Sequence, residues 1–350
     1  MTDPLPALDT ALLDGFAFTC RPDCGLCCFA SPRITPRERD RLRASVADVE
    51  IDGRGRDLFL ASRPDGGACQ FLRSARCGVH ALRPAPCREF PITVHVGERL
   101  QATVVLSCPG LRLDRLMQAE TGTRRDGPTG LEPELGSVRA RIDASTARRI
   151  ADARRRRRRI VRGLEARGVF RTEEEVRALL REDLPWPRAE EFPVEEPPEP
   201  GDGLATLPLY FDGRPGPVAL SRRIGGWGVV ELSEGGGVAA DLGVVPPPVK
   251  CPSTDDAAAA LLRGYLRYWL ERDALLGYTL LATDRDGRED LVETTRAELR
   301  RIGAQVLSRA EVRAKISGRS AGVLNAAAVA DGIRAYDQDG LDRPTWGDRL

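Results

Sequence analysis

Apolar and polar residues alternate along the chain in blocks whose periods change, and those changes predict its elements. "ITVHVGERLQATVVLS" (residues 92–107) reads as two strands around a Gly97-Glu98 turn. Thr35-Pro36-x-Glu38 has the form of a helix start, with a cap, a first-turn proline and a capping-box glutamate. It predicts a helix from there to about Ala47. Residues 112–120 read as helical and "TGTRRDGPTG" (121–130) as a loop. Residues 138–168 read as one long helix, and Thr172-x-x-Glu175 caps the next. Between 208 and 243, short apolar runs alternate with glycine turns, which predicts a small antiparallel sheet. "DDAAAALLRGYLRYWLERDALLGYTLL" (255–281) predicts an amphipathic helix with Ala258, Leu262, Tyr265, Leu266 and Trp269 on one face. Leu299, Ile302, Val306 and Ala310 mark a second helix, and a third is expected from about Ser320 to Tyr336.

Those elements predict an α+β protein. A small, metal-organised, cysteine-rich domain is expected over residues 16–110, and a helical region over 111–183. The stretch 184–203, acidic and rich in proline, reads as a linker. Residues 204–340 form the expected C-terminal domain, a short antiparallel sheet with helices.

Composition narrows the function classes. The 350 residues carry a net charge of +1, so the chain is not built to coat nucleic acid or membrane along its length. Lys250 and Lys315 are the only lysines, which reads as a coding bias toward arginine. The run Arg154 to Arg159 goes more than once around a helix and leaves no apolar face, so it must be solvated or meet acidic groups. Residues 137–182 hold 15 Arg against 7 acidic residues, and the acidic strip that follows could neutralise them. A basic run alone is a weak footprint, so nucleic-acid binding is not expected. No secretory signal and no run of about 18 apolar residues is present, and a soluble cytoplasmic protein without a membrane partner is the expectation.

Chemistry concentrates in the cysteines. Eight of nine lie early in the chain, at Cys20, Cys24, Cys27, Cys28, Cys69, Cys77, Cys87 and Cys108. Cys251 stands apart and is expected to be a small buried residue. In a reducing compartment clustered thiols point to metal or redox chemistry before disulfides. Thiolates bind Zn²⁺ or iron tightly, and four close a tetrahedral site. Pro22, Asp23 and Gly25 supply a turn that aims several sulfurs at one point. The adjacent Cys27 and Cys28 either serve two centres or divide between ligation and packing, and spacing alone leaves both open. Inert packing explains such density poorly. Cys-x3-Cys-x2-Cys is also the spacing of radical-SAM enzymes, but the run of alternating strands and helices which those enzymes need does not follow here.

A second stretch, "CGVHALRPAPCREFPI" (77–92), sharpens this. With "FTCRPDCGLCC" and "CQFL" upstream, the pattern resembles the cysteine-cluster family that carries a CxxCxxCC string. The matching positions are Cys69, Phe71, Leu72, Cys77, Arg83, Pro84, Cys87, Arg88, Phe90 and Pro91. Two details depart from the commonest form: the first gap is three residues, and His80 sits where a tyrosine is frequent. The resemblance implies a Zn²⁺, iron or 4Fe-4S centre and no particular reaction. Flagellin lysine methylases carry a related, looser string, which implies an alternative: an iron–sulfur-dependent enzyme, a methyltransferase or oxidoreductase, acting on a protein substrate. A zinc-stapled module that works through a protein partner is the second alternative.

Around the cluster, Arg83 and Arg88 bracket Cys87 and would offset the negative charge of a thiolate centre. His80 is a candidate nitrogen ligand, and His95 reads as an ordinary strand residue. No Ser/His/Asp set, HExxH or phosphate loop stands out.

Overall fold

A computed structural model describes residues 6–20, 24–29, 32–55, 57–62, 68–74, 76–121, 130–188, 218–233, 237–246, 248, 250–287, 290–318, 322–340 and 348–349. The fold is α+β, with a cysteine-rich N-terminal part. Among the described residues no helix is long and apolar enough to cross a membrane.

The chain begins with β1 (Leu8–Asp9), β2 (Arg33–Ile34) and α1 (Pro36–Ser45). Helix α1 starts where the sequence predicts. Thr35 Oγ1 accepts from the Glu38 amide, and a Glu38 carboxylate oxygen accepts from the Thr35 amide at 2.9 Å. The other Glu38 oxygen accepts from Ala85 N at 2.7 Å, which pins the start of α2 (Ala85–Glu89) to α1. After α1, β3 (Ile51–Arg54) and β4 (Asp57–Leu60) join β2 in a sheet ordered β2-β4-β3, and β5 (Leu72–Arg73) pairs with β6 (Arg76–Cys77). A cis Phe90–Pro91 peptide leads into the expected hairpin, β7 (Ile92–Val96) and β8 (Leu100–Val104).

Helices α3 (Asp114–Thr121), α4 (Glu132–Arg139), α5 (Ala144–Ala166) and α6 (Glu173–Glu182) follow. The single helix predicted over 138–168 is therefore two. Asp143 breaks it: its carboxylate accepts from the amides of Ser145 and Thr146 at 2.8 and 3.1 Å, which caps a new helix. The arginine run lies on α5 between the buried Ala153 and Ile160. Arg157 meets Glu98 at 3.5 Å and Glu173 at 3.1 Å, and Arg154 donates to the Glu98 carbonyl at 2.8 Å. Acidic partners thus come from the hairpin turn and from α6. The acidic strip that could neutralise the run lies outside the described residues from 189 onward.

The predicted small sheet consists of β9 (Val218–Arg223), β10 (Gly226–Leu232) and β11 (Val238–Val245), all antiparallel and ordered β11-β10-β9. After β12 (Ser253–Thr254), the amphipathic helix expected over 255–281 is interrupted into α7 (Asp256–Leu270) and α8 (Asp273–Arg285). Arg272 causes the break. It takes an extended conformation and turns its side chain inward, 1% exposed, to pair with Asp337 at 3.0 Å. Helix α9 (Leu291–Ile316), β13 (Val323–Leu324), α10 (Ala326–Gly340) and β14 (Asp348–Arg349) complete the described chain. Helix α10 begins later than expected because Val323–Leu324 pair with β12, and Asn325 then caps it by accepting from Ala328 N at 3.0 Å.

The largest core joins both ends of the sequence. It unites the β7–β8 hairpin with α3, α5 and α7 to α10, through Val94, Val104, Leu116, Ile150, Tyr265, Leu299 and Ile333. This core contains residues from both sides of position 110. Sheet β9–β11 links a second layer through the alternation of its strands. Val218, Leu220 and Val229 face α9 and α10. Ala219, Val230 and Leu232 face a satellite cluster of the cysteine-rich segment, with Leu42, Leu58, Leu60 and Phe71.

Helices α3 and α7 pack closest at Gly264, where a Cβ would stand 1.9 Å from the Leu116 carbonyl oxygen. Only hydrogen fits there. Gly264→Ala is expected to lower unfolding free energy by about 1–3 kcal/mol through overpacking, read as a shift of the urea midpoint. An unchanged midpoint would show that α3 moves aside freely.

Candidate metal centre

Three chain segments deliver the thiols. The first turns at Gly25, whose φ of +58° suits glycine, into a 3-10 turn over Leu26–Phe29. Cys28 N donates to Gly25 O at 2.9 Å, and Cys24 Sγ accepts from Leu26 N at 3.4 Å. Pro22 and Asp23, expected in this turn, lie outside the described residues. The second segment is stitched to the first where Cys69 N donates to Cys28 O at 2.5 Å. From there the β5–β6 pairing sets Cys77 opposite Leu72. Helix α2 brings Cys87, with Arg83 Nη1 donating to the Cys87 carbonyl at 3.4 Å. The third segment returns after the hairpin. Phe18 and Leu111 form an antiparallel bridge, and Thr19 N donates to Gly110 O at 3.0 Å, which sets Cys20 beside the Cys108 stretch. That approach needs Gly110, because a Cβ would fall 2.5 Å from the Thr19 carbonyl oxygen.

These segments enclose a pocket of about 290 Å³. Cys20, Cys27, Cys28, Cys69, Cys77 and Cys87 line it, together with His80 and Arg83. Cys24 and Cys108 are not on its wall, but both lie within electrostatic reach of one another, and Cys108 is also in reach of Cys20 and Cys27. Cys251 does not line this pocket: it is half-buried against the large core, not fully buried as its isolation suggested. No disulfide joins any of the nine cysteines.

The thiols interact strongly. Hydrogen bonds from Cys28 hold Cys77 down at about 6 and also lower Cys27, against the effect of burial. Cys28 keeps the proton, so the same bonds to Cys27 and Cys77 push its own ionisation far up. Burial raises Cys87, with the neighbouring Cys27, Cys69 and Cys77 adding to it, and burial takes Cys108 up to about 12. Arg83 favours the thiolate at Cys20, Cys27, Cys77 and Cys87, reinforcing the lowering of Cys27 and Cys77 and opposing the rise of Cys20 and Cys87. It is the cation common to the group.

The two bracketing arginines part company. Arg83 lines the pocket, whereas Arg88 donates through Nη1 to the Arg83 carbonyl and acts on the carboxylates of Glu38 and Glu89. His80 sits on the exposed rim, where burial and Arg83 lower its basicity. His95 belongs to β7 and is buried. Sequence spacing missed Glu134 in the first turn of α4. Its Oε2 is buried without a hydrogen-bond partner, burial raises its carboxyl, and it acts on Cys20. Only the packing of α4 on α2 brings it there, so no local signal could have found it.

Among the described residues no three His, Cys, Asp or Glu side chains are drawn together closely enough to hold an ion as they stand. The donor set still fits a thiophilic metal. Six sulfurs share one wall, two of them ionise readily, and a guanidinium offsets their charge. Loss of the Cys28 proton would free a third sulfur beside them.

No curated protein and no solved structure matches the chain. Residues 19–109, the stretch from just before Cys20 to just past Cys108, match the family model CxxCxxCC, described as "Putative zinc- or iron-chelating domain".

Proposed function

We propose that this segment is a thiolate metal centre taking zinc or iron, with Cys20, Cys24, Cys27, Cys28, Cys69, Cys77, Cys87 and Cys108 as its donors. The observation that carries the reading is the cavity with six thiols on its wall and Arg83 among them. A bound ion would supply cross-links between segments that the sequence keeps up to 88 residues apart, from Cys20 to Cys108. The chain's own residues prepare for it. Contact with Cys28 favours the ionised form of Cys27 and Cys77 over the other thiols. Arg83 balances the charge that accumulates as further thiols ionise. Glu38 fixes the turn that carries Arg83 and Cys87 by bonding the Ala85 amide. This chemistry suits the cytoplasm, where thiols are held reduced.

Anaerobic purification followed by metal analysis tests the reading. Zinc or iron is expected in at least stoichiometric amount, and Cys27→Ser and Cys87→Ser should each lower it by about half or more. A wild-type protein without metal, or unchanged metal in both variants, would remove these residues from any site. A brown protein with acid-labile sulfide would favour the iron–sulfur enzyme, and a colourless zinc protein would favour the staple.

A further inference from the structure

Eight thiols are twice what one tetrahedral ion takes. Sulfurs bound to one zinc at ~2.3 Å lie within about 3.8 Å of each other, so eight cannot crowd one ion.

The fold sorts the thiols into two neighbourhoods. Cys20 and Cys108 are brought together by the Phe18–Leu111 bridge, and Cys24 lies within reach of Cys108. Cys108 belongs to the large core. Cys28 and Cys69 belong to the satellite cluster and Cys77 and Cys27 pack against it, tied by the Cys69–Cys28 backbone bond and the Cys28–Cys77 side-chain contact. Cys87 lies on the same pocket wall, near Cys27, Cys69 and Cys77. The adjacent pair stands at the seam. Cys27 reaches Cys20 and Cys108 as well as Cys28, Cys77 and Cys87, so it is the member of the pair that spans both neighbourhoods, whereas Cys28 reaches Cys77 and Cys69.

We propose that the eight thiols hold two neighbouring metal ions, one on Cys20, Cys24, Cys27 and Cys108 and the other on Cys28, Cys69, Cys77 and Cys87. The adjacent Cys27 and Cys28 are thereby divided between the two centres. Each centre joins different parts of the chain. The first ties the N-terminal turn to the end of the β7–β8 hairpin, and the second ties it to β6 and α2. The proposal rests on the thiolate reading above and adds its stoichiometry and ligand partition.

The test uses the full-length protein, stripped of metal under reducing conditions and titrated with cobalt(II), which shows thiolate-to-metal absorption. Wild type should reach its end point at two equivalents. Cys27→Ser/Cys108→Ser should retain one, since both changes fall on one centre, and so should Cys28→Ser/Cys87→Ser. Cys27→Ser/Cys28→Ser should retain none, because it damages both. An end point of one equivalent in wild type overturns the proposal while leaving metal binding intact, as do four irons with sulfide in the isolated protein. Absence of any thiolate absorption in wild type overturns metal binding itself. A Cys27→Ser/Cys108→Ser variant that loses both ions while keeping wild-type circular dichroism overturns the partition. The wild-type end point needs no variant and so stands even if a variant fails to fold.

Discussion

Asp337→Ala should destabilise the protein by about 3–5 kcal/mol, the range for removing one partner of a buried ion pair. Asp337 is 0% exposed and serves three donors. Its Oδ1 accepts from Arg272 Nη2 at 3.0 Å and from the Tyr265 hydroxyl at 3.3 Å, and its Oδ2 accepts from Leu106 N at 2.7 Å. Alanine would leave the Arg272 guanidinium charged among Tyr268 and Trp269, whose rings it overlies at 4.4 and 4.5 Å. Those rings attract a cation but do not neutralise it. Guanidinium-chloride unfolding reads the change. A double variant, Arg272→Met/Asp337→Leu, is expected to recover most of the loss, because a well-packed apolar pair avoids the desolvation of both charges. A loss below about 1 kcal/mol in Asp337→Ala would mean that water reaches Arg272.

Metal removal is expected to act locally. In isolated zinc-finger peptides the ion supplies ~10–16 kcal/mol, nearly all of the folding energy. Here the effect should be smaller, because Leu42, Leu58, Leu60 and Phe71 already form an apolar cluster and β9–β10 cover it. Hydrogen exchange after chelation should lose protection around residues 24–29 and 68–89, while α7, α9 and α10 keep theirs. Equal protection with and without metal would show that the thiols contribute nothing to that segment's order.

The sequence was legible where the physics is local. Thr35 with Glu38 and Thr172 with Glu175 announce two helix starts, and both capping boxes form. The strands on either side of Gly97-Glu98 pair as read. Of the eight clustered cysteines, Cys20, Cys27, Cys28, Cys69, Cys77 and Cys87 line one pocket, while Cys24 and Cys108 lie off its wall. Long-range causes were hidden. Arg272 breaks a strongly periodic helix because its counter-charge lies on another helix, and no window around 255–281 contains Asp337. Asp143 was read as one residue in a helix because its capping role depends on which way the chain enters. Arg83 and Arg88 look equivalent beside Cys87 until packing turns one into the pocket and the other onto the backbone.

The Arg272–Asp337 pair also bears on the order in which the protein can mature. The ribosome delivers the guanidinium 65 residues before its carboxylate. At ~5–20 residues per second that is a wait of about 3–13 s. During it, Arg272 lacks its counter-charge, and Leu262, Leu266 and Trp269, buried in the finished fold, lack the α10 residues of the same core. A chain that ends before residue 337 is therefore expected to keep an unpaired guanidinium where the finished fold buries it.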